Sequence, residues 1–334
     1  MALSDFRKLV PYFPDVESVI LQGWGEPLLH RDLIPLIRSA KSGFWNSSAS
    51  PGKFPVRAPN VGFVTSGKGL DAHFGSELID AGLDFIGFSF AGSSAATHEA
   101  IRVNSDFSEL VNAVSDFNGL RQKKGRSELR THMVYLLLRD NLQELPGLPR
   151  LARDIGIQEI LLINLIHVTT PWQDSQKVFS CNEHSDAVDI LIEAEERARE
   201  IGVTIRRPSL AALETPLCSE NPLRNLYISV TGEVSPCVYL YPPTASRYFK
   251  RIFCGQEHQI ERVSFGNIFR DPITGIWNSG DYSEFRGRLD RRVRSAGRRY
   301  SPLLLLDGRK GGASASPLPE PPAPCRTCHK MLGV

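Results

Sequence analysis

Between Ser18 and Leu33 the chain reads SVILQGWGEPLLHRDL. Its first four residues, Ser18 to Leu21, form an apolar run of the length a buried strand needs. Two glycines follow, Gly23 and Gly25, and then Glu26 and Pro27. Glycine lets a backbone approach a ligand closely. Glu26 offers an acceptor for an ammonium group, and Pro27 stiffens the turn out of the strand. Helical sequence follows over Asp32 to Ala40. The fold therefore turns on whether this strand–turn–helix unit recurs.

It does recur. Strands are expected at Val61 to Val64, Asp84 to Phe90, Thr131 to Leu138 and Glu159 to Leu165. Helices are expected at Gly75 to Ala81, Phe107 to Leu120, Leu142 to Asp154 and Glu183 to Ile201. Near-continuous apolar strands alternating with helices predict a parallel sheet covered on both faces. Such a sheet is either doubly wound or a barrel. Gly43 to Asn60 reads as an inserted loop, and Ser301 to Pro324 as a stiff connector. The α/β domain is placed at residues 1–205, with a second domain over 206–334. Ligands of parallel sheets sit at the carboxyl ends of the strands. There stand the Gly23–Pro27 turn, Thr65-Ser66-Gly67, and Ser89-Phe90-Ala91-Gly92.

Composition narrows the class. A chain of 334 residues accommodates one large domain and a smaller one, and 41% hydrophobic with 23% charged residues is ordinary for a globular protein. A net charge of +2 gives no argument for nucleic acid. Seven arginines between Arg286 and Arg299 read first as a solvated helix face, with an acidic partner as the sharper alternative. No apolar run reaches the roughly 18 residues of a membrane span, and MALSDFRKLV has no signal-peptide core. A cytoplasmic protein without a membrane partner is expected.

The six cysteines are patterned. Cys218 and Cys237 follow C-x13-G-x4-C, with Leu226–Pro236 between them reading as a hairpin turned at Thr231-Gly232. Cys325 and Cys328 form a CxxC, whose two-residue gap lets both thiolates face one centre. Four cysteines suffice for one 4Fe–4S cluster, and structural zinc is the alternative. Cys181 and Cys254 are expected to be unpaired thiols, with His184 and His258 ordinary polar residues.

Taken together, GWGEPLLHRDL, TSG and SFAGSSAATHEAIR (Ser89–Arg102) resemble, in order, the strand-end motifs of the radical S-adenosylmethionine (SAM) superfamily. Cys218–Cys237, FGNIFRDPITGIWNSGDYSEFRGRL (Phe265–Leu289) and the CxxC resemble the superfamily's SPASM extension. The resemblance implies a partial (β/α)6 TIM-like barrel followed by a small α+β cysteine-bearing domain. It implies that Gly23, Gly25 and Glu26 line the site for the SAM amino group, with Pro27 and Thr65 also among the cofactor-binding residues. Ser89 and Arg102 would face its carboxylate or ribose, Asn141 the ribose, and the Leu165–His167 exit the adenine. An auxiliary 4Fe–4S cluster would sit on Cys218, Cys237, Cys325 and Cys328. Trp24, Ser66 and Ala91 depart from the family's usual small residue, Asn and Asp. The first cysteine is Cys181, so no CxxxCxxC loop for a catalytic 4Fe–4S cluster precedes the GEP turn. The family's first strand and that loop would lie upstream of Ser18, and the start of the chain reads as truncated.

Two functions remain open at this level. One is an enzyme that, in complete form, cleaves SAM to a 5′-deoxyadenosyl radical which abstracts hydrogen from a peptide or protein, with an electron donor as partner. The other is an inactive iron–sulfur scaffold for peptide recognition or electron transfer. A SAM-dependent methyltransferase fits less well, because its Gly-rich turn after a first strand is not seen.

Overall fold

The computed structural model describes residues 1–42, 58–179, 187–299 and 317–334. Most of the expected loop at 43–60 and of the connector at 301–324, together with Cys181 and His184, lies outside them. The chain divides into two units. One comprises Met1–Leu165, Gln176–Val178 and Ser185–Pro208, the other Ile166–Ser175, Phe179–His184 and Ser209–Val334.

Six parallel strands make the sheet of the first unit: β1 Ser18–Ile20, β2 Asn60–Thr65, β3 Phe85–Phe90, β4 Arg130–Leu137, β5 Glu159–Asn164 and β6 Thr204–Arg206. They lie in the order β1-β2-β3-β4-β5-β6 with every pair parallel. Doubly wound sheets reverse their strand order at a switch point; this one does not. Right-handed crossovers repeated in one direction keep the helices on one face, which is the winding of a barrel. The two architectures left open by the sequence are thereby separated. Six strands rather than five are present, because the three-residue β6 is too short to give a periodic signal.

The helices are α1 Leu33–Ser42, α2 Ala72–Asp80, α3 Ala95–Ile101, α4 Phe107–Lys123, α5 Leu148–Asp154 and α6 Val188–Glu200. Val61, Phe63, Ile86, Phe88, Phe90, Met133, Tyr135 and Ile160 point to the helix side and are buried. Phe88 meets Phe117 of α4 edge-on at 6.0 Å, and Thr131 donates to the Asn118 side chain at 2.9 Å. The expected helix over Leu142–Asp154 is shorter than predicted. Arg139–Gly147 winds as a 3-10 segment with Pro146 inside it, and α5 starts only at Leu148. Proline lacks the N–H that a continuous helix needs, but Pro149 fits the first turn of α5.

On the opposite sheet face, glycines make room for rings. A Cβ on Gly62 would lie 2.5 Å from the Phe85 ring, and one on Gly87 2.5 Å from His132 Nε2. Phe85 and His132 stack at 6.4 Å with Arg130 over Phe85. These residues sit at the amino ends of β3 and β4, so they close the lower part of that face. Polar side chains collect at the opposite end.

The second unit holds two hairpins. β7 Tyr227–Ile228 pairs antiparallel with β8 Val234–Ser235, as the sequence predicts, with Gly232 at φ +84° in its turn. β9 Tyr248–Phe253 pairs with β10 Gln256–Glu261 through the two-residue loop Cys254-Gly255, both at positive φ. That hairpin was not anticipated. Helix α7 spans Gly280–Arg299. Its arginines are not simply a solvated face. Arg292 is fully buried, and Arg286 lies 3.9 Å over Trp277 and 4.6 Å over Tyr282. Arg288 and Arg294 do form exposed i,i+4 pairs with Glu284 and Asp290.

Candidate functional site

At the carboxyl end of the sheet, the turns are tied to one another by side chains. Glu26 caps the short helical turn Pro27–Leu29 by accepting from Leu28 N at 3.1 Å. The same carboxylate reaches across to the turn after β2. Its Oε1 accepts from Thr65 Oγ1 at 2.5 Å, and its Oε2 from Ser66 N and Ser66 Oγ, each at 2.7 Å. Thr65 Oγ1 in turn accepts from Gly67 N at 3.0 Å. Gly67 has φ +78°, and a Cβ there would sit 2.6 Å from Leu110. Only glycine suits that position. Pro27 is buried, while Gly25 has nothing within 4 Å of where a Cβ would be. Packing does not require glycine at residue 25, so the backbone there lies open to a ligand.

A second bracket ties β3 to β4. Asn141 is fully buried; its Nδ2 donates to Ala91 O at 2.9 Å and Leu136 O at 2.8 Å, and its Oδ1 accepts from Leu138 N at 2.9 Å. Three residues on, Glu144 accepts from Ser94 Oγ at 2.5 Å, Thr97 Oγ1 at 2.6 Å, Ser94 N at 3.2 Å and Ser93 N. Burial would raise the Glu144 pKa, but these donors outweigh it and hold the carboxyl below its ordinary range. The sequence reading did not single out Glu144. Its only signal is its spacing from Asn141.

Between the brackets lies Arg102, which donates from Nη2 to Ser89 Oγ. Its Nε is buried and has no hydrogen-bond partner among the described residues. Burial lowers the Arg102 pKa, while the Glu26 charge acts in the opposite direction. An uncommitted, buried guanidinium edge beside Ser89 is a place for an anionic group. His98, of the same Ser89–Arg102 segment, plays a structural part. It is buried against Phe90 and Phe107, takes a 3.3 Å contact from Ala91 N, and burial pushes its pKa down to about 4.

In the second unit, four free cysteines gather from three stretches of chain: Cys218, Cys237, and the pair Cys325 and Cys328. Burial raises the Cys218 thiol to about 11, and the nearby Cys328 adds to the effect. Cys237 and Cys325 are raised further by burial and by the other thiols of the set. Burial thus acts on Cys218, Cys237 and Cys325 alike, and the half-buried Cys328 lies close to all three. A single zinc ion needs thiolates about 3.8 Å apart, from Zn–S bonds of about 2.3 Å in a tetrahedron. Among the described residues no three donors converge on a single ion. Four thiols can serve either one zinc ion or one four-iron cluster, and the polar groups around them distinguish the two. Three buried donors close by also have no partner among the described residues, namely Arg251 Nη2, Tyr282 Oη and Thr327 Oγ1. The pocket is thus chemically suited to a group that carries both metal and acceptor sulfurs.

The ligand-bearing segments are held from outside. The β7–β8 hairpin separates Cys218 from Cys237, and Phe265 N and Gly266 O bond Val234 at 2.8 and 2.9 Å. Phe265, Trp277, Tyr282, Phe285 and Arg286 form one cluster, with Phe265 stacked on Tyr282 at 4.2 Å. Arg292 donates to Glu214 Oε1 and Thr215 O, each at 2.8 Å, and to Pro319 O, joining the stretches that lead to Cys218 and to Cys325. Arg251 donates to Pro324 O at 2.9 Å and Thr327 O at 3.4 Å, on either side of Cys325. Arg251 carries no sequence signal, and the run Arg286–Arg299 gives nothing that would single out Arg292. Cys254 corrects an expectation: it is disulfide-bonded, not a free thiol. A solitary cysteine at a hairpin tip offers no spacing from which pairing could be read.

Residues 218–299 match the family model described as SPASM, an iron-sulfur cluster-binding domain. Among curated proteins, the chain is 25% identical over 279 residues to the tungsten-containing aldehyde ferredoxin oxidoreductase cofactor-modifying protein of Pyrococcus furiosus, covering 82% of this chain and 70% of the relative. It is also 25% identical over 234 residues to a probable GTP 3′,8-cyclase of Metallosphaera sedula, covering 67% of this chain and 66% of the relative. Among solved structures, SuiB of Streptococcus suis aligns at a TM-score of 0.60 with 11% identity, over 86% of this chain and 62% of SuiB. SuiB has also been solved with S-adenosylmethionine and with its precursor peptide SuiA. The AdoMet-bound anSMEcpe aligns at 0.55 with 12% identity, over 84% of this chain and 72% of that one. This chain therefore spans less than two thirds of SuiB's length.

Proposed function

We propose that the chain, with its barrel-type sheet and its match to the SPASM iron-sulfur cluster-binding domain, is a radical SAM/SPASM protein that carries one auxiliary 4Fe–4S cluster and part of a SAM site, and acts on a peptide or protein. The observation that carries this reading is the gathering of Cys218, Cys237, Cys325 and Cys328 as free thiols close to one another, two of them fully buried. Four thiolates complete the ligand set of one such cluster.

At the sheet mouth, Arg102 and Ser89 would hold the carboxylate of SAM, with the Arg102 Nε gaining the partner it lacks. The open backbone at Gly25 would admit the ligand, with Gly23 beside it. Glu26 acts chiefly as a brace, because four donors already fill its oxygens and hold the Gly23–Pro27 turn against Thr65 and Ser66. Asn141 likewise positions the β3 and β4 exits. Reductive cleavage of SAM in this family draws its electron from a cluster on a CxxxCxxC segment. Such a segment is not among these 334 residues, so that step lies beyond what this chain's own side chains supply. Support for a peptide substrate comes from the fold shared with SuiB, solved with its precursor peptide.

Iron and acid-labile sulfide analysis of the anaerobically purified chain tests the reading. About four irons and four sulfides per chain are expected, falling to background in a Cys237→Ser, Cys325→Ser double variant. Zinc without sulfide would sink the cluster assignment.

A further inference from the structure

Leaving a buried polar atom unsatisfied costs about 1–3 kcal/mol, and more for a charged group. The second unit keeps three such donors near its cysteines: Thr327 Oγ1 inside the CxxC, Arg251 Nη2, whose charge acts on Cys325, and Tyr282 Oη, which feels Cys237. Arg251 and Tyr282 are fixed by something other than the cysteines. Arg251 is 2% exposed on β9, packs over Phe249 at 5.4 Å, and is anchored by Nη1 to carbonyls flanking Cys325. Tyr282 is fully buried on α7, its ring held between Phe265 and Trp277. Thr327 lies within the CxxC itself. Arg251 and Tyr282 are therefore not idle ends of flexible chains; the packing holds them in place.

Inorganic and cysteinyl sulfurs accept hydrogen bonds. The number of such bonds, together with net local charge, sets the potential of an iron–sulfur centre. We infer that Arg251, with Tyr282 and Thr327, forms a donor shell that raises the reduction potential of the cluster on Cys218, Cys237, Cys325 and Cys328. The inference rests on the cluster reading above. When one electron arrives from an external reductant, no bond forms or breaks and the centre becomes more negative by one charge. Donors and a buried cation stabilise that reduced state more than the oxidised one, so their removal lowers the potential. Arg251 is a positioning residue in this scheme, acting through the cluster and not on substrate.

A merely structural Arg251 would staple the CxxC turn through Nη1 and leave the potential unchanged. The test uses the full chain, reconstituted anaerobically, as wild type, R251K, R251Q and Y282F. Iron and sulfide are counted first, and each sample is then titrated with dithionite while the reduced-cluster EPR signal is followed. At the wild-type midpoint, R251Q is expected to show about tenfold less reduced relative to oxidised cluster, about 59 mV for a one-electron couple. R251K should fall between, and Y282F should shift in the same direction by less. Loaded R251Q and Y282F clusters that titrate at the wild-type potential would overturn the inference. Should R251Q lose its iron, Y282F decides on the same criterion, since phenylalanine keeps the stacking against Phe265. Absence of iron and sulfide from the wild type would sink the cluster reading instead, which separates the two failures.

Discussion

At the scale of single residues, charged groups brace turns more often than they present themselves to a ligand. Glu26 looks in the sequence like an acceptor awaiting an ammonium, yet its two oxygens already receive Leu28 N, Thr65 Oγ1 and both Ser66 donors. Glu26→Gln replaces one acceptor with a donor that faces other donors, and should destabilise the chain by about 1–3 kcal/mol in urea unfolding. Arg102→Met should behave oppositely. It removes a desolvated guanidinium, so stability should hold, while SAM retention in equilibrium dialysis should fall about tenfold or more. Buried histidines set the acid limit. His98 and His167 both have pKa values lowered to about 4, first by burial and next by a nearby arginine, Arg102 or Arg251. An unfolded histidine protonates near 6.5, so the native state binds fewer protons between about 6.5 and 4. Stability is therefore full above about 6.5 and is lost as pH falls toward 4. Urea midpoints measured across that window should decline, with a shallower slope in His98→Asn.

The elements show what could and could not be read from sequence. Strands β2 to β5 sit within a residue or so of the apolar runs that predict them, because β-branched and aromatic clusters bounded by turns carry a strong signal. The Gly232 turn was equally legible, and it yields a prediction. Gly232→Ala places a methyl 2.6 Å from Asn267 Oδ1 at φ +84°, so the hairpin should be strained by about 1–2 kcal/mol. Lower iron occupancy at matched protein concentration would be the readout. Three features escaped the sequence reading, for different reasons. β6 is too short for periodicity, and the Cys254-Gly255 hairpin lacks an Asn-Gly or Asp-Gly marker. The apolar spacing over Leu142–Asp154 overstates the helix because the stretch around Pro146 winds as a 3-10 segment and the α-helix starts only at Leu148.

For the molecule as a whole, order along the chain was legible and convergence across it was not. The succession of strand-end motifs identified the winding of the sheet. The spacing of Cys218, Gly232 and Cys237 and the CxxC drew attention to the four cysteines that the second unit brings together. Arg251, Arg292 and Glu144 could not have been found this way, since each works through contacts far from its own place in the sequence. The division into two units makes a further prediction. A cluster that binds only the folded state stabilises the unit that holds it. Chelating the iron should therefore lower one calorimetric transition while leaving the other, from the sheet unit, near its original temperature. A single transition that shifts as one would contradict independent units. The last residues carry a practical consequence for handling the protein. Leu213 N and Thr215 N donate to Leu332 O and Met331 O at 2.8 and 2.9 Å, Gly333 turns over Thr215 at φ +72°, and Val334 is only 5% exposed. A purification tag fused at Val334 would have to pull that strap away from the stretch leading into Cys218. Tagged that way, the protein should come off the column colourless; tagged at the other end, it should come off brown.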